Sequence, residues 1–216
     1  MSYRDKQQEL IGLLEDIHTK TGIPTVLQDV PRNRDNIEMI DPFTFLMNFN
    51  RAGIKDDKRR DVIAIIQEFF HLSVQLPADF DGTFSSSTAS KWTQFFRDSN
   101  HLRYKTSTMN LWELASRAWR GMDSPALFAY CLEFPSVGVG SLTQGLYWCN
   151  PASFIPLDSK CSEFLASILG SHAIPELKTG HEIEFVQAYD KMMTELRLQY
   201  PGYSRTDLFY RSRLKT

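Results

Sequence analysis

The sequence predicts a mainly α-helical protein, a multi-helix globular domain that extends over residues 1–216. Apolar residues recur at helical spacing along most of the chain, whereas the alternation typical of strands is scarce. Hydrophobic residues make up 42% of the chain and aromatic residues 12%, which is enough for a substantial core. Helix-ending prolines and glycines separate the periodic stretches, so several packed helices are expected.

The charge and cysteine content exclude some functional classes. A net charge of −2 predicts no strong whole-molecule attraction to nucleic acid, so a nucleic-acid site would have to be a local patch. No apolar run approaches the roughly 20 residues of a membrane span, and the N-terminus lacks the apolar core of a signal peptide. Cys131, Cys149 and Cys161 lack C-x-x-C spacing and are interpreted as reduced core thiols. A cytoplasmic protein without membrane contact is expected.

Residues 1–40 are predicted to form an N-terminal helix followed by a loop. The helix covers residues 3–20, and its apolar face consists of Leu10, Leu13, Leu14 and Ile17. Arg32 and Arg34 lie in the polar loop, where they are candidates for phosphate contact. A solvated loop is the favoured interpretation of such a charge cluster.

Two helices are predicted between residues 42 and 72. Pro42 suits the first turn of a short apolar helix. Asp56 is expected to cap a longer helix, whose buried stripe consists of Val62, Ile65, Ile66, Phe69 and Phe70. Lys58–Arg60 lie near its start, where cations oppose the helix dipole. They are candidates for anion binding, although a solvated face is favoured.

Four further helices are predicted at residues 109–120, 125–132, 181–200 and 204–214, and the Ser/Thr-rich residues 83–90 are predicted to form a mobile loop. The apolar positions of the first are Leu111, Trp112, Ala115 and Trp119. Those of the third include Ile183, Val186, Met193 and Leu196. The last helix is basic, with Arg205, Arg211, Arg213 and Lys215.

Residues 134–169 combine a glycine turn with two capped helices. Gly138 and Gly140 make backbone conformations available that other residues avoid. Ser141 and Gln144 match the S-x-x-Q capping box at the start of an apolar run. Amide groups at the start of this helix are expected to offer an anion site.

The second helix of this region follows a proline-bounded connector. Asn150 and Pro151 end the preceding helix, and either Asp158 or Ser159 is predicted to cap the next one. Its apolar positions are Cys161, Phe164, Leu165, Ile168 and Leu169. Gly170 supplies the C-terminal stop.

No common catalytic or cofactor motif occurs in the sequence. The nucleotide-binding pattern G-x-x-x-x-G-K-[ST], the zinc pattern H-E-x-x-H and the nucleophile pattern G-x-S-x-G are absent. The five histidines are scattered without paired ligand spacing, so neither a metal site nor a cofactor is predicted. The residues do not name a reaction, and a non-enzymatic role is favoured.

The glycine turn resembles the helix–hairpin–helix segment of the DNA glycosylase superfamily. The matching residues are Phe134-Pro135-Ser136-Val137-Gly138-Val139-Gly140, followed by Pro156 and Asp158. This resemblance implies phosphate contact at the turn and places Asp158 near the position of a catalytic aspartate. Leu142 stands about where the lyase-type members have a lysine. Asp158 is therefore either catalytic or a helix N-cap, and the cap is favoured.

A second resemblance covers more of the chain. The phrases NFNRAGI, LPADFDG, GLYWCNP and PLDS, within residues 42–82, 91–96 and 140–159, resemble the region preceding the motor in McrB-like AAA+ restriction proteins. The chain departs from that pattern at Thr83, where serines follow. The resemblance implies a target-recognition or accessory region of a DNA-cleaving defence system. DNA and an AAA+ motor segment or nuclease subunit are the partners it implies.

The leading hypothesis is a DNA-binding specificity domain. Its candidate contacts are Arg32, Arg34, Lys58, Arg59, Arg60, Gly138, Val139, Gly140, Ser141, Arg211 and Arg213. One alternative is a glycosylase-like enzyme that uses Asp158, with a flipped base held by Tyr147 and Trp148. Another is a protein–protein docking domain that does not bind nucleic acid. Binding is favoured over chemistry.

Overall fold

A computed structural model describes residues 6–29, 37–49, 54–77, 101–122, 124–135 and 137–214 of the chain. Every regular element within these ranges is helical, which confirms the mainly α-helical class. The α-helices are α1 (Gln7–Thr21), α2 (Val26–Asp29), α3 (Pro42–Met47), α4 (Asp56–Phe70), α5 (His101–Trp119), α6 (Pro125–Leu132), α7 (Val139–Cys149), α8 (Ser159–Leu169), α9 (Glu182–Gln199) and α10 (Arg205–Leu214). None of these helices is long and apolar enough to cross a membrane.

The chain divides into two compact units, Met1–Phe96 and Arg97–Thr216. We refer to them as the first unit and the second unit. The prediction of one domain over residues 1–216 stays a prediction. The predicted mobile loop at 83–90 lies outside the described residues.

The core of the first unit is built on α1, which packs against α2 and α4. Its predicted apolar face is confirmed, because Leu10, Leu13, Leu14 and Ile17 are each at most 1% exposed. The helix ends at Gly22, whose φ of 73° is readily adopted only by glycine. The prediction that a loop follows the first helix up to residue 40 is wrong at α2. There, the Gln28 side-chain oxygen accepts hydrogen bonds from the Thr25 amide and hydroxyl, which stabilises a short helical turn.

The short helix α3 begins at Pro42 as predicted, and Asp41 is its N-cap. The Asp41 side chain is fully buried and accepts hydrogen bonds from the amides of Phe43 and Thr44, at 3.0 and 2.9 Å. The Thr44 hydroxyl donates to the second carboxylate oxygen of Asp41 at 2.5 Å. Burial raises the pKa of Asp41 to about 6, although these hydrogen bonds oppose the shift. A carboxyl group therefore sits inside the core of the first unit.

Helix α4 differs from its prediction at both the cap and the core. Lys55, not Asp56, is the N-cap residue, and no side chain caps the helix, since Asp56 already lies within its first turn. Of the five residues in the predicted buried stripe, only Val62 is buried; the other four are half-buried. Helical spacing identified the inward side of α4, but the degree of burial depends on how much of the unit covers that side.

The second unit packs α6 against α9 and α5 against α6 and α7. Phe128 of α6 makes edge-to-face contacts with Phe185 and Tyr189 of α9, with ring centroids 6.4 and 5.9 Å away. The range predicted for α6 is confirmed, whereas α5 begins at His101 rather than at residue 109. The predicted burial of Trp119 and Ile183 is wrong, since these side chains are 70% and 40% exposed.

Candidate nucleic-acid interface

Helix α7 begins earlier in the chain than the predicted capping box at Ser141 indicated. Gly138 is the N-cap residue, in an extended conformation, and no side chain caps the helix. The Leu142 amide donates to the Gly138 carbonyl at 2.9 Å, which closes the first turn upstream of the predicted start. Ser141 is therefore the third helical residue, and the predicted Ser141–Gln144 capping box is wrong.

Gly140 is favoured by close packing and not by an unusual backbone conformation. Neither Gly138 nor Gly140 has a positive φ. A Cβ atom on Gly140 would lie 3.3 Å from the Leu157 carbonyl oxygen and 3.5 Å from the Cα of Asp158. A glycine here lets the first turn of α7 approach the connector before α8, so the two helix starts lie side by side.

Two buried hydroxyl groups hold this connector in place. The Tyr189 hydroxyl accepts a hydrogen bond from the Ile155 amide at 2.9 Å and donates to the Ile155 carbonyl at 2.7 Å. The Thr143 hydroxyl accepts from the Leu157 amide at 2.8 Å and donates to the Val139 carbonyl at 2.8 Å. The sequence reasoning missed both residues, because a single polar group on an apolar helix carries no local signal of its distant partner. Together they fix the α7 and α8 starts relative to each other.

Asp158 caps α8, which confirms the favoured sequence interpretation. One carboxylate oxygen accepts a hydrogen bond from the Cys161 amide at 2.9 Å. The other oxygen forms an ion pair with the guanidinium of Arg213. The Arg213 side chain is 17% exposed and the Asp158 side chain is 31% exposed. Both oxygens therefore have protein partners, and the carboxylate links the start of α8 to α10.

The two predicted C-terminal arginines lie on opposite sides of α10. Arg213 turns towards Asp158, with its guanidinium 4.7 Å from the ring centre of Phe209. Arg211 lies 4.4 Å from the ring centre of Tyr203. The structure thus brings the predicted Gly138–Ser141 turn together with Asp158 and Arg213, while Arg211 belongs to a different surface.

Lys160 adds a cation to this region that sequence reasoning missed. It is the second residue of α8 and is exposed, two residues beyond Asp158. The charges of Asp158 and Arg213 cancel, so Asp158, Arg213 and Lys160 together carry one net positive charge. We call Gly138–Ser141 together with Lys160 the α7 site.

Comparison with known proteins identifies the family. A family model described as a domain of unknown function, DUF8425, matches residues 1–202. The chain belongs to the DUF8425 family. The matched range contains the α7 site and Asp158, whereas α10 follows it. No curated protein and no solved structure matches the chain.

The candidate DNA contacts in the first unit of this DUF8425 protein have separate partners. Lys58 lies 3.4 Å from the carboxylate of Asp61, and its side chain is 45% exposed. Arg59 is only 8% exposed and donates through Nε to the Ile54 carbonyl. Arg60 donates through Nε to the Pro77 carbonyl at 3.1 Å. A role for these cations in DNA binding stays a prediction, and Arg32 and Arg34 lie outside the described residues.

The remaining chemistry of the described residues is consistent with structural roles. Burial raises the pKa of each cysteine thiol to about 12, so these DUF8425 thiols are poor nucleophiles at neutral pH. Tyr147, a candidate for holding a flipped base, packs 4.8 Å from the Phe209 ring centre, and Trp148 is half-buried. No group of three potential metal-binding side chains occurs in the part of the chain that the structure describes.

Proposed function

We propose that this DUF8425 protein binds DNA and that the α7 site contacts a phosphate group of the backbone. The observation that carries the proposal is the start of α7, which Gly138 leaves without a side-chain cap. Gly138 is exposed, and the first helical residues are half-buried. Helix amino ends bind anions through their amide groups and the helix dipole.

Rigidity and charge support this assignment. The Thr143 hydroxyl and the close contact of Gly140 with Leu157 hold the first turn in place before any ligand binds. A preformed site avoids the entropy loss of ordering a loop on binding. Lys160 supplies a cation next to the same connector, so the local charge favours an anion even though the protein is acidic overall.

The biological role that we propose is target recognition, or an accessory role, in an McrB-like restriction system. The support is the order of the sequence phrases NFNRAGI, LPADFDG, GLYWCNP and PLDS. In this proposal, α7, the connector and α8 act as a helix–hairpin–helix-like unit, and an AAA+ motor segment or nuclease subunit is the protein partner. The two protein contacts of Asp158 support binding at this unit over base excision.

A titration of the intact protein against labelled duplexes tests this proposal. Fluorescence polarisation of methylated and unmodified duplexes, measured at increasing salt, should show binding that weakens as salt rises. Ser141→Glu adds a negative charge to the first turn of α7, where an acidic residue suits the helix dipole but repels phosphate. We expect about a tenfold loss of affinity with an unchanged fold, consistent with loss of a charge-assisted contact.

Matched variants separate the site from the total charge. Thr194→Glu makes the same charge change at an exposed position on α9 and should have a much smaller effect. Lys160→Gln should weaken binding and reduce the salt dependence by about one phosphate contact, whereas Lys191→Gln on α9 should not. The proposal is refuted if no duplex binds in a salt-dependent manner at micromolar protein. It is also refuted if Ser141→Glu and Thr194→Glu bind equally well.

A further inference from the structure

The turn between α9 and α10 and the helix segments next to it carry arginine and tyrosine residues that the α7 site does not use. Tyr200 is the C-cap residue of α9, and the Tyr203 amide donates to its carbonyl at 3.1 Å, which closes the turn. Helix α10 then begins at Arg205. The arginine–tyrosine cluster, as we name it, consists of Arg197, Tyr200, Tyr203, Arg205 and Arg211.

The tyrosines of this cluster present an anchored aromatic surface. The Tyr200 hydroxyl donates to the Ile168 carbonyl at 3.2 Å, which ties the turn to α8. The Tyr203 ring lies 6.5 Å from the Tyr200 ring and is 43% exposed. The Arg211 guanidinium lies 4.4 Å from the Tyr203 ring centre. Because the guanidinium lies over the ring and covers one of its faces, a nucleobase would stack on the other face of the ring or on the outer face of the guanidinium.

The charges of the cluster are predominantly positive. Among the described residues, no carboxylate lies within ion-pair distance of Arg197, Arg205 or Arg211. The nearby Asp207 caps α10, since its carboxylate accepts hydrogen bonds from the Ser204 amide and hydroxyl at 2.9 and 2.7 Å. These hydrogen bonds and, to a smaller extent, the charge of Arg211 lower the pKa of Asp207. Three arginines against this one aspartate leave a net positive surface that is suited to an anionic ligand.

Arg205 shows the clearest deficit within the cluster. Its Nε is buried and has no hydrogen-bond partner. Burial lowers the pKa of Arg205, and the positive charge of Arg197 lowers it further. Arg197 is exposed and Arg205 is half-buried, so a phosphate group at the solvent side of these two residues would supply the missing negative charge.

We infer that the arginine–tyrosine cluster binds single-stranded nucleic acid. The arginines would contact the phosphate backbone, and unpaired bases would stack on the Tyr203 ring and the Arg211 guanidinium. A duplex keeps its bases stacked and exposes only their edges, so it cannot use these aromatic faces. The inference goes beyond the phosphate contact proposed for the α7 site and depends on different residues, so either can fail without the other.

The test compares two strands that differ only in their bases. The intact protein is titrated by fluorescence polarisation against a labelled oligothymidylate of about 15 nucleotides, a length near the upper end of single-strand site sizes, and against an abasic strand of equal length. We expect the base-bearing strand to bind at least about tenfold more tightly, as stacking on one aromatic residue supports. In the Ser141→Glu variant, which weakens duplex binding at the α7 site, a blunt-ended duplex should bind more weakly than the oligothymidylate.

Three variants locate the effect. Tyr203→Leu should weaken oligothymidylate binding by about tenfold and abasic-strand binding much less, because it removes the stacking surface while the charge of Arg211 remains. Arg211→Lys keeps the charge but removes the planar group, so it should also reduce the preference for bases. Tyr130→Leu is the matched control, since Tyr130 is likewise 43% exposed and lies on α6 of the same unit. Circular dichroism melting checks that each variant folds.

Several results would overturn the inference. Equal affinity for the base-bearing and abasic strands would indicate a simple anion site, as would displacement of both by inorganic phosphate to the same degree. In the Ser141→Glu variant, a preference for a blunt-ended duplex over the oligothymidylate would also contradict it, as would equal effects of Tyr203→Leu and Tyr130→Leu in the otherwise unchanged protein. Loss of duplex binding in Ser141→Glu, with the preference for bases intact, would instead mark the α7 site as separate and support the inference.

Discussion

The buried carboxyl of Asp41 predicts that the first unit becomes less stable as the pH rises from about 4 to about 6. Burial favours the protonated form of this side chain in the folded state. The unfolded chain releases the proton near the ordinary pKa of 3.8, whereas the folded chain keeps it until about 6. The folded state therefore binds more protons across this interval. Its extra stability is fully present below the lower value and is lost as the pH rises through the upper one.

The size of the effect follows from the same two pKa values. The interval from 3.8 to about 6 corresponds to about 3 kcal/mol of unfolding free energy, at about 1.4 kcal/mol per pKa unit. Asp41→Asn removes the titration but keeps an oxygen that can accept from the Phe43 and Thr44 amides. We therefore expect this variant to be more stable than the parent above about pH 6, with no corresponding fall between pH 4 and 6.

Urea unfolding measured at several pH values tests this prediction. Far-UV circular dichroism gives the overall free energy, and hydrogen exchange of the α3 amides reads the first unit by itself. Asp16→Asn is the matched control, because Asp16 lies on α1 of the same unit with a side chain that is 62% exposed. The stability of the Asp16→Asn variant should match that of the parent protein at every pH. If the parent instead gains stability between pH 4 and 6, and Asp41→Asn abolishes that gain, the buried carboxylate stabilises the fold and the reasoning fails.

Three further predictions concern the second unit. Gly140→Ala should lower the unfolding free energy by about 1–3 kcal/mol, because the added carbon meets the Leu157 carbonyl oxygen at 3.3 Å. Gly138→Ser adds a capping hydroxyl in open space and should raise the unfolding free energy by a few tenths of a kcal/mol. Equal urea midpoints for the two variants would contradict this prediction. Tyr189→Phe should cost about 1–3 kcal/mol in thermal or urea unfolding, since it leaves the Ile155 amide unpaired; Tyr203→Phe is the exposed control and should be nearly neutral. The three cysteines should resist iodoacetamide at about pH 8 in the native protein and react in denaturant, as mass spectrometry would show; rapid native labelling would contradict their raised pKa.

Features that depend on neighbouring residues were predictable from the sequence. The apolar face of α1, the full range of α6 and the Asp158 cap of α8 all agree with the structure. Each has a short-range physical cause. Helical spacing defines a face, proline suits a first turn, and a carboxylate caps the amides that follow it. The Thr25–Gln28 pair carried the same kind of signal for α2 and could have been recognised.

Features that depend on distant contacts were not predictable. The start of α7 lies where Gly140 approaches Leu157, and no local sequence pattern indicates this contact. Arg213 reaches Asp158 from a different helix, so their pairing follows only from the docking of α10 on α8. The predicted burial of Trp119 was wrong for the same reason. Periodicity shows which side of a helix is apolar but not whether another element covers that side.

Helix α9 gives the second unit a shared frame for its two proposed contact surfaces. The Tyr189 hydroxyl of this helix is hydrogen-bonded to the connector beside the α7 site, and the C-terminal end of the helix carries Arg197 and leads into the turn with Tyr200 and Tyr203. A nucleic acid held at one end of this frame is confined near the other, which raises its effective concentration there without a new contact. Junctions between duplex and single strand, which offer both kinds of ligand on one molecule, would gain most from this arrangement. Two individually weak surfaces would then act as one bivalent receptor.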